Sequence, residues 1–206
     1  MYQFTSESVS QGHPDKVADL ISDTVATYLI NGNKQHRAAV ETLVTTNKVV
    51  LAGEYKSDRG LNKDRIANLI RDTIKKIGYE QEGFHWETVE IQNNMHGQSP
   101  DIALGTDEFG AGDQGIMFGY ACEEAGNKLP YPLYYSHEIL KTLERLRKID
   151  SNYDWLEPDS KAQFTFNYGS DGKPINIAKI VCSTQHKEKV DIEFVRDEVK
   201  KIIKDV

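Results

Sequence analysis

The sequence predicts an α+β protein made of a repeated α–β–β–α unit. Three observations carry that expectation: amphipathic helices, two polar-turn hairpins, and the same order of elements in each half of the chain. From Pro14 to about Ile30, Val17, Ile21, Val25 and Leu29 recur every fourth residue, which marks one apolar helix face. Pro14 suits the first turn, where its missing N–H costs nothing, and Asn31-Gly32-Asn33 ends the helix. "RAAVETLVTTNKVVLAGEY" then reads as two extended runs around a Thr46-Asn47 turn. In "NKDRIANLIRDTIKKIGY", Ile66, Leu69, Ile70, Ile74 and Ile77 line a second helix that stops at Gly78, and "WETVEIQ" follows as a short strand.

The second half repeats the order. "QGIMFGYACEE" reads as strand-like, and "YSHEILKTLERLRKI" as a helix with Ile139, Leu140, Leu143 and Leu146 on one face. "KAQFTFNYGSDGKPINIAKIVCSTQ" is a second hairpin around Gly169-Ser170-Asp171-Gly172. "DIEFVRDEVKKIIKDV" is a helix with Asp191 as its N-cap and Val195, Val199 and Ile202 inward. The first unit runs on into "WETVEIQ" whereas the second has no matching strand before Val206, which points to a chain cut short. Between the units, residues 93–115 hold five glycines and little periodicity, the signature of a lid, a binding loop or a linker.

Bulk properties narrow the partners. A net charge of −7 leaves no basic excess to displace counterions from a nucleic-acid backbone. Cys122 and Cys182 are sixty positions apart, with no spacing that suggests a disulfide framework or a zinc site, so Cys182 is expected as a buried free thiol. The chain starts without a basic and apolar leader and has no apolar run of membrane length. The expectation is a cytoplasmic protein that binds neither nucleic acid nor membrane.

Several stretches have a chemical and a plain reading. In "SQGHPDK" a helix start offers free N–H groups and a positive dipole end, with His13 as a donor to a phosphate or leaving oxygen, Lys16 adding charge and Asp15 as a hard oxygen ligand for Mg²⁺. Ordinary capping by Asp15, with His13 on the surface, explains the same residues. The glycines around Asp113 in "GAGDQGIMFGYA" permit close backbone approach to a ligand or simply turn the chain. Glu41, Glu54 and Gln163 interrupt apolar strands; each faces solvent by default or a cation by design. "PDSK", residues 158–161, reads as a turn with Lys161 at the surface.

Together these blocks are far more specific than any one of them. "FTSESVSQGHPDKVAD", "ET", "GE", "QSPDI", "GAGDQGIMFGYA", "PDSKAQFTF" and "STQH" stand in the order found in methionine adenosyltransferases, the S-adenosylmethionine synthetases, and the resemblance covers residues 3 to about 204. It implies lobes with mostly antiparallel sheets and helices packed on one face, two of the family's three: an N-terminal lobe over 1–98, a mobile active-site loop over 99–112 and a central lobe over 113–206. It implies the joining of ATP and L-methionine into S-adenosylmethionine, with release of phosphate and diphosphate. In that frame His13 and Lys161 are the catalytic pair, at the triphosphate. Asp113, Asp159 and Ser160 contact ATP as well. Glu54 and Gln98 contact methionine from a neighbouring subunit, Asp15 binds Mg²⁺, and Glu41 binds K⁺. The family also implies a homodimer or tetramer, and a further lobe rich in phosphate-binding cations. The chain by itself is therefore expected to be inactive. It would be a fragment, one part of a split enzyme completed by a chain supplying the C-terminal lobe, or a non-catalytic partner or regulatory subunit of a full-length synthetase.

Overall fold

The computed structural model describes residues 1–98 and 114–206, and the expected loop over 99–112 lies outside them. The α+β class and the repeated order hold. The chain forms two compact units, Pro14–Phe118 and a discontinuous one of Met1–His13 with Gly119–Val206. The discontinuity comes from a strand that the sequence did not announce, β1 (Tyr2–Val9). Its polar run of Thr, Ser and Glu lacks the alternation of a half-buried strand, so only its partner reveals it.

In the Pro14–Phe118 unit, α1 (Pro14–Ile30) buries Val17, Ile21, Val25 and Leu29 as their spacing requires. An antiparallel hairpin follows, β2 (Arg37–Thr45) and β3 (Lys48–Lys56), paired from Arg37↔Lys56 to Thr45↔Lys48. Helix α2 (Lys63–Ile77) is capped by Asn62, whose side chain accepts from the Arg65 N–H at 2.9 Å. Its Ile66, Ile70, Ile74 and Ile77 complete a core with α1, Val49 and Leu51.

A two-residue hairpin, β4 (Glu80–Gln81) and β5 (Phe84–His85), precedes β6 (Glu90–Asn93), which lies parallel to β3. The short β7 (His96–Gly97) continues along β3. The strand expected over "WETVEIQ" therefore starts four residues late. Arg71 explains this: its guanidinium donates to the carbonyls of Trp86 (2.8 Å), Glu87 (2.7 Å) and Val89 (3.0 Å), folding them into a turn around α2 instead of a ladder.

In the other unit, α3 (Tyr131–Ile149) and one 3₁₀ turn (Ser151–Tyr153) lead into β8 (Leu156–Tyr168). Strand β9 (Pro174–His186) returns antiparallel, and α4 (Ile192–Asp205) starts at Asp191, which caps the Glu193 N–H as expected. The sheet order is β1-β8-β9, so β8 is central. Ala162, Phe164, Phe166 and Tyr168 alternate inward from β8 and pack with Ile139, Leu140 and Leu143 of α3.

Two expectations are corrected. Residues 114–124 form no strand; Ile116, Met117 and Phe118 are 79–89% exposed, because among the described residues no other strand offers a ladder to this backbone. "PDSK" is not a turn but part of β8, held in extended form by pairing with the chain around β1. Cys182 is free and half-buried, and burial pushes its thiol up to about 11.

The isoleucine face of α2 is deeply buried, with Ile70 and Ile74 at 0% exposure. Ile70→Ala is expected to cost about 2–5 kcal/mol of stability, the usual cost of a large-to-small core change. Urea titration followed by circular dichroism measures it.

Candidate functional site

In the discontinuous unit the two motifs that looked separate in sequence are tied together. Ser10, just past β1, donates its N–H to the Ser160 carbonyl at 2.9 Å. Its hydroxyl donates to the Pro158 carbonyl and accepts from the Ser160 N–H, both at 2.8 Å. These groups are buried and 150 positions apart in the chain. Gly12 then passes so close to Pro158 that a Cβ on it would sit 2.3 Å from the Pro158 carbonyl carbon and oxygen. Only glycine fits there. The His13 N–H closes the turn by donating to the Ser10 carbonyl at 3.0 Å.

The result is one small constellation from "GHPDK" and "PDSK". Asp159 and Lys161 lie on the face of β8 opposite the core residues Pro158, Ser160 and Ala162. His13 and Lys161 both act on the Asp159 carboxylate through space. Lys161 is exposed, opposite Val9 in the β1 register, and the Ser160 hydroxyl shares a 2.7 Å hydrogen bond with Thr184 of β9. Asp159 Oδ1 is buried without a hydrogen-bond partner. A lysine cation and an imidazole donor beside a partly buried carboxylate can receive a polyanion while the carboxylate orients donors.

In the Pro14–Phe118 unit, Asp15 stands exposed in the first turn of α1. Lys16 is engaged by Asp19 at 3.3 Å. Glu41 pairs with Ala52 and Glu54 with Ala39, so the two carboxylates are diagonal neighbours on one face of the β2–β3 hairpin. Gly53 lets the strands approach there: its φ is 119°, and a Cβ would fall 2.0 Å from the Ala39 carbonyl oxygen. Glu54 is the register partner of His96 in β7, and the Gln98 N–H donates to Tyr55 at 2.9 Å. Glu54 and Gln98 thus share one strand edge, and Gln98 Oε1 is buried with no partner.

Asp113 lies outside the described residues. Among the described residues no three His, Cys, Asp or Glu side chains group closely enough to hold a metal by themselves. Mg²⁺ needs no such cluster: it binds one or two carboxylates, such as Asp15 offers, and completes its shell with substrate phosphates. No described helix is long and apolar enough to cross a membrane. Sequence reasoning missed Ser10 and Gly12 as structural partners of Pro158, since nothing local signals a contact 150 positions away.

Burial raises the Asp159 carboxyl above its ordinary value of 3.8, against the opposing pull of His13 and Lys161. A carboxyl raised on folding binds its proton more tightly in the folded state. Its favourable contribution therefore exists at low pH and is lost as pH rises through the folded value. Asp159→Asn is expected to melt higher than the parent around neutrality, with the gap closing well below 3.8; thermal denaturation across pH reads this out.

The comparisons agree with these features. The description "S-adenosylmethionine synthetase, N-terminal domain" matches residues 1–100, and "S-adenosylmethionine synthetase, central domain" matches residues 108–206. An S-adenosylmethionine synthase of Granulibacter bethesdensis is 50% identical over 208 residues, covering 98% of this chain and 51% of the relative. One of Rhodospirillum centenum is 48% identical, covering 100% of this chain and 54% of the relative. The solved structure of an unusual S-adenosylmethionine synthetase from Campylobacter jejuni superposes with a TM-score of 0.87 at 38% identity, over 100% of this chain and 54% of the other. The chain spans about half the length of the relatives it matches. With both domain matches covering nearly every residue and the motif-bearing strands in a shared fold, the chain belongs to the S-adenosylmethionine synthetase family, as its N-terminal and central domains.

Proposed function

We propose that this chain supplies part of an ATP:L-methionine adenosyltransferase site. In that reaction the methionine sulfur attacks C5′ of the ATP ribose and the triphosphate leaves as a polyanion, then is hydrolysed to phosphate and diphosphate. Charge stabilisation of the leaving group and in-line placement of sulfur and C5′ carry the rate, with little demand for acid–base chemistry. His13 and Lys161 face the triphosphate, and His13 donates to the leaving oxygen. Asp159, Ser160 and Asp113 orient the nucleotide. Glu54 and Gln98 hold methionine, the first for its ammonium, on a site completed by a neighbouring subunit. Asp15 holds Mg²⁺ and Glu41 holds K⁺; when bound, the cations neutralise phosphate charge and activate the site.

The observation that carries this reading is the stitching of "GHPDK" to "PDSK" through Ser10 and Gly12, which gathers His13, Asp159 and Lys161. The unpartnered buried oxygens of Asp159 and Gln98 support it as groups awaiting a polar ligand. The family reading also supports a homo-oligomer or a complex with a chain that provides the remaining lobe.

Calorimetry with ATP and Mg²⁺ tests the half-site. Binding by the 206-residue chain, weakened about tenfold or more in Asp15→Asn, is the expected result. Equal binding by both proteins would remove Asp15 from the metal role. The chain alone is expected to form little or no S-adenosylmethionine, and substantial turnover by the purified protein would overturn that part.

A further inference from the structure

Ser10 has no substrate role of its own in that reading, yet both halves of the His13–Asp159–Lys161 constellation hang on it. Its N–H and hydroxyl make three hydrogen bonds, of 2.8–2.9 Å, to the backbone of Pro158 and Ser160, the residues on either side of Asp159. Its carbonyl accepts the His13 N–H. Gly12, between them, lies against Pro158 with no room for a side chain. One residue therefore joins the turn that carries His13, through its carbonyl, to the strand segment that carries Asp159 and Lys161, through its N–H and hydroxyl, and both belong to the same compact unit.

We propose that Ser10 is a positioning residue, with Gly12 as its steric counterpart, setting His13 opposite Asp159 and Lys161. The proposal rests on the reading above for its functional meaning. The physical argument is independent of it. A hydroxyl with donor and acceptor roles both used on backbone groups, at 8% exposure, defines a geometry that a methyl cannot hold. Removing it leaves the Ser160 N–H and the Pro158 carbonyl without that partner. The local ladder must then open or admit water, and His13 moves away from Asp159.

Side-chain NMR at fixed pH tests this on the 206-residue chain. In the parent, Asp159→Asn is expected to shift the His13 ring resonance, and in a Ser10→Ala background the same substitution is expected to shift it little. A generic loss of stability in a chain that still folds would leave that coupling intact. The same shift in both backgrounds overturns the proposal. If Ser10→Ala does not fold, Gly12→Ala, which forces the turn off Pro158, is read in the same way. A second arm titrates inorganic tripolyphosphate into the parent, Ser10→Ala, His13→Ala and the double variant. The expected pattern is about tenfold weaker binding for Ser10→Ala, with no further loss when it is added to His13→Ala. Additive losses count against positioning through His13. Failure of the parent to bind tripolyphosphate would overturn the triphosphate reading, while the NMR arm still decides the role of Ser10.

Discussion

The pairing of β1 with β8 is the interaction on which the discontinuous unit depends. It runs from Tyr2↔Tyr168 to Val9↔Lys161 without a register break. Closing a flexible loop of that length costs on the order of 4 kcal/mol of chain entropy, and it must be offset by the ladder itself. Side chains add to the ladder at intervals: Tyr2 stacks on Tyr168 at 5.3 Å, Thr5 bonds Thr165 at 2.9 Å, and Gln3 bonds Asn167 at 3.1 Å. Beyond Val9 the ladder does not simply end. Ser10 extends it by side-chain hydrogen bonds, and the chain then turns through Gly12 to His13.

The same strand serves two purposes because its residues alternate. The inward face of β8 holds Phe164, Phe166 and Tyr168 against α3, with Tyr135 stacked near both phenylalanines. Glu124 anchors the edge of that core, accepting from the Tyr168 hydroxyl at 2.7 Å and from the first N–H of α3 at 2.9 Å. The outward face carries Asp159 and Lys161. A rigid apolar side thus holds polar groups whose own environment is unfavourable for folding, as the raised Asp159 carboxyl indicates. At neutral pH that position therefore costs stability, which the apolar side of the strand offsets.

The two units repeat one order but finish their sheets differently. In Pro14–Phe118 the third strand, β6, joins parallel to β3, the second strand of the hairpin. In the other unit the third strand is β1, antiparallel to β8, the first strand of its hairpin. The repeat therefore lies in the helix–hairpin–helix order and not in sheet completion. Pairing along β3 and β7 puts Glu54 opposite His96 and Gln98 against Tyr55 in the one, whereas the β1–β8 seam gathers His13, Asp159 and Lys161 in the other.

What the sequence determined by itself was whatever repeats at short range. The helix faces of α1 and α2, the Thr46-Asn47 turn, the Asp191 cap and the α+β class all follow from spacing and turn chemistry within about twenty residues. The ordered blocks in it also pointed to the family and named the side chains with suitable chemistry. Tertiary structure alone decided which of those side chains meet. β1 lacks the alternation of a half-buried strand, "PDSK" reads as a turn and nothing local marks Ser10, because ladder partners and close backbone approaches carry no local signal. The start of "WETVEIQ" became a turn and "QGIMFGY" remained without a strand for the same reason: an extended segment becomes a strand only when another backbone takes up its N–H and C=O groups.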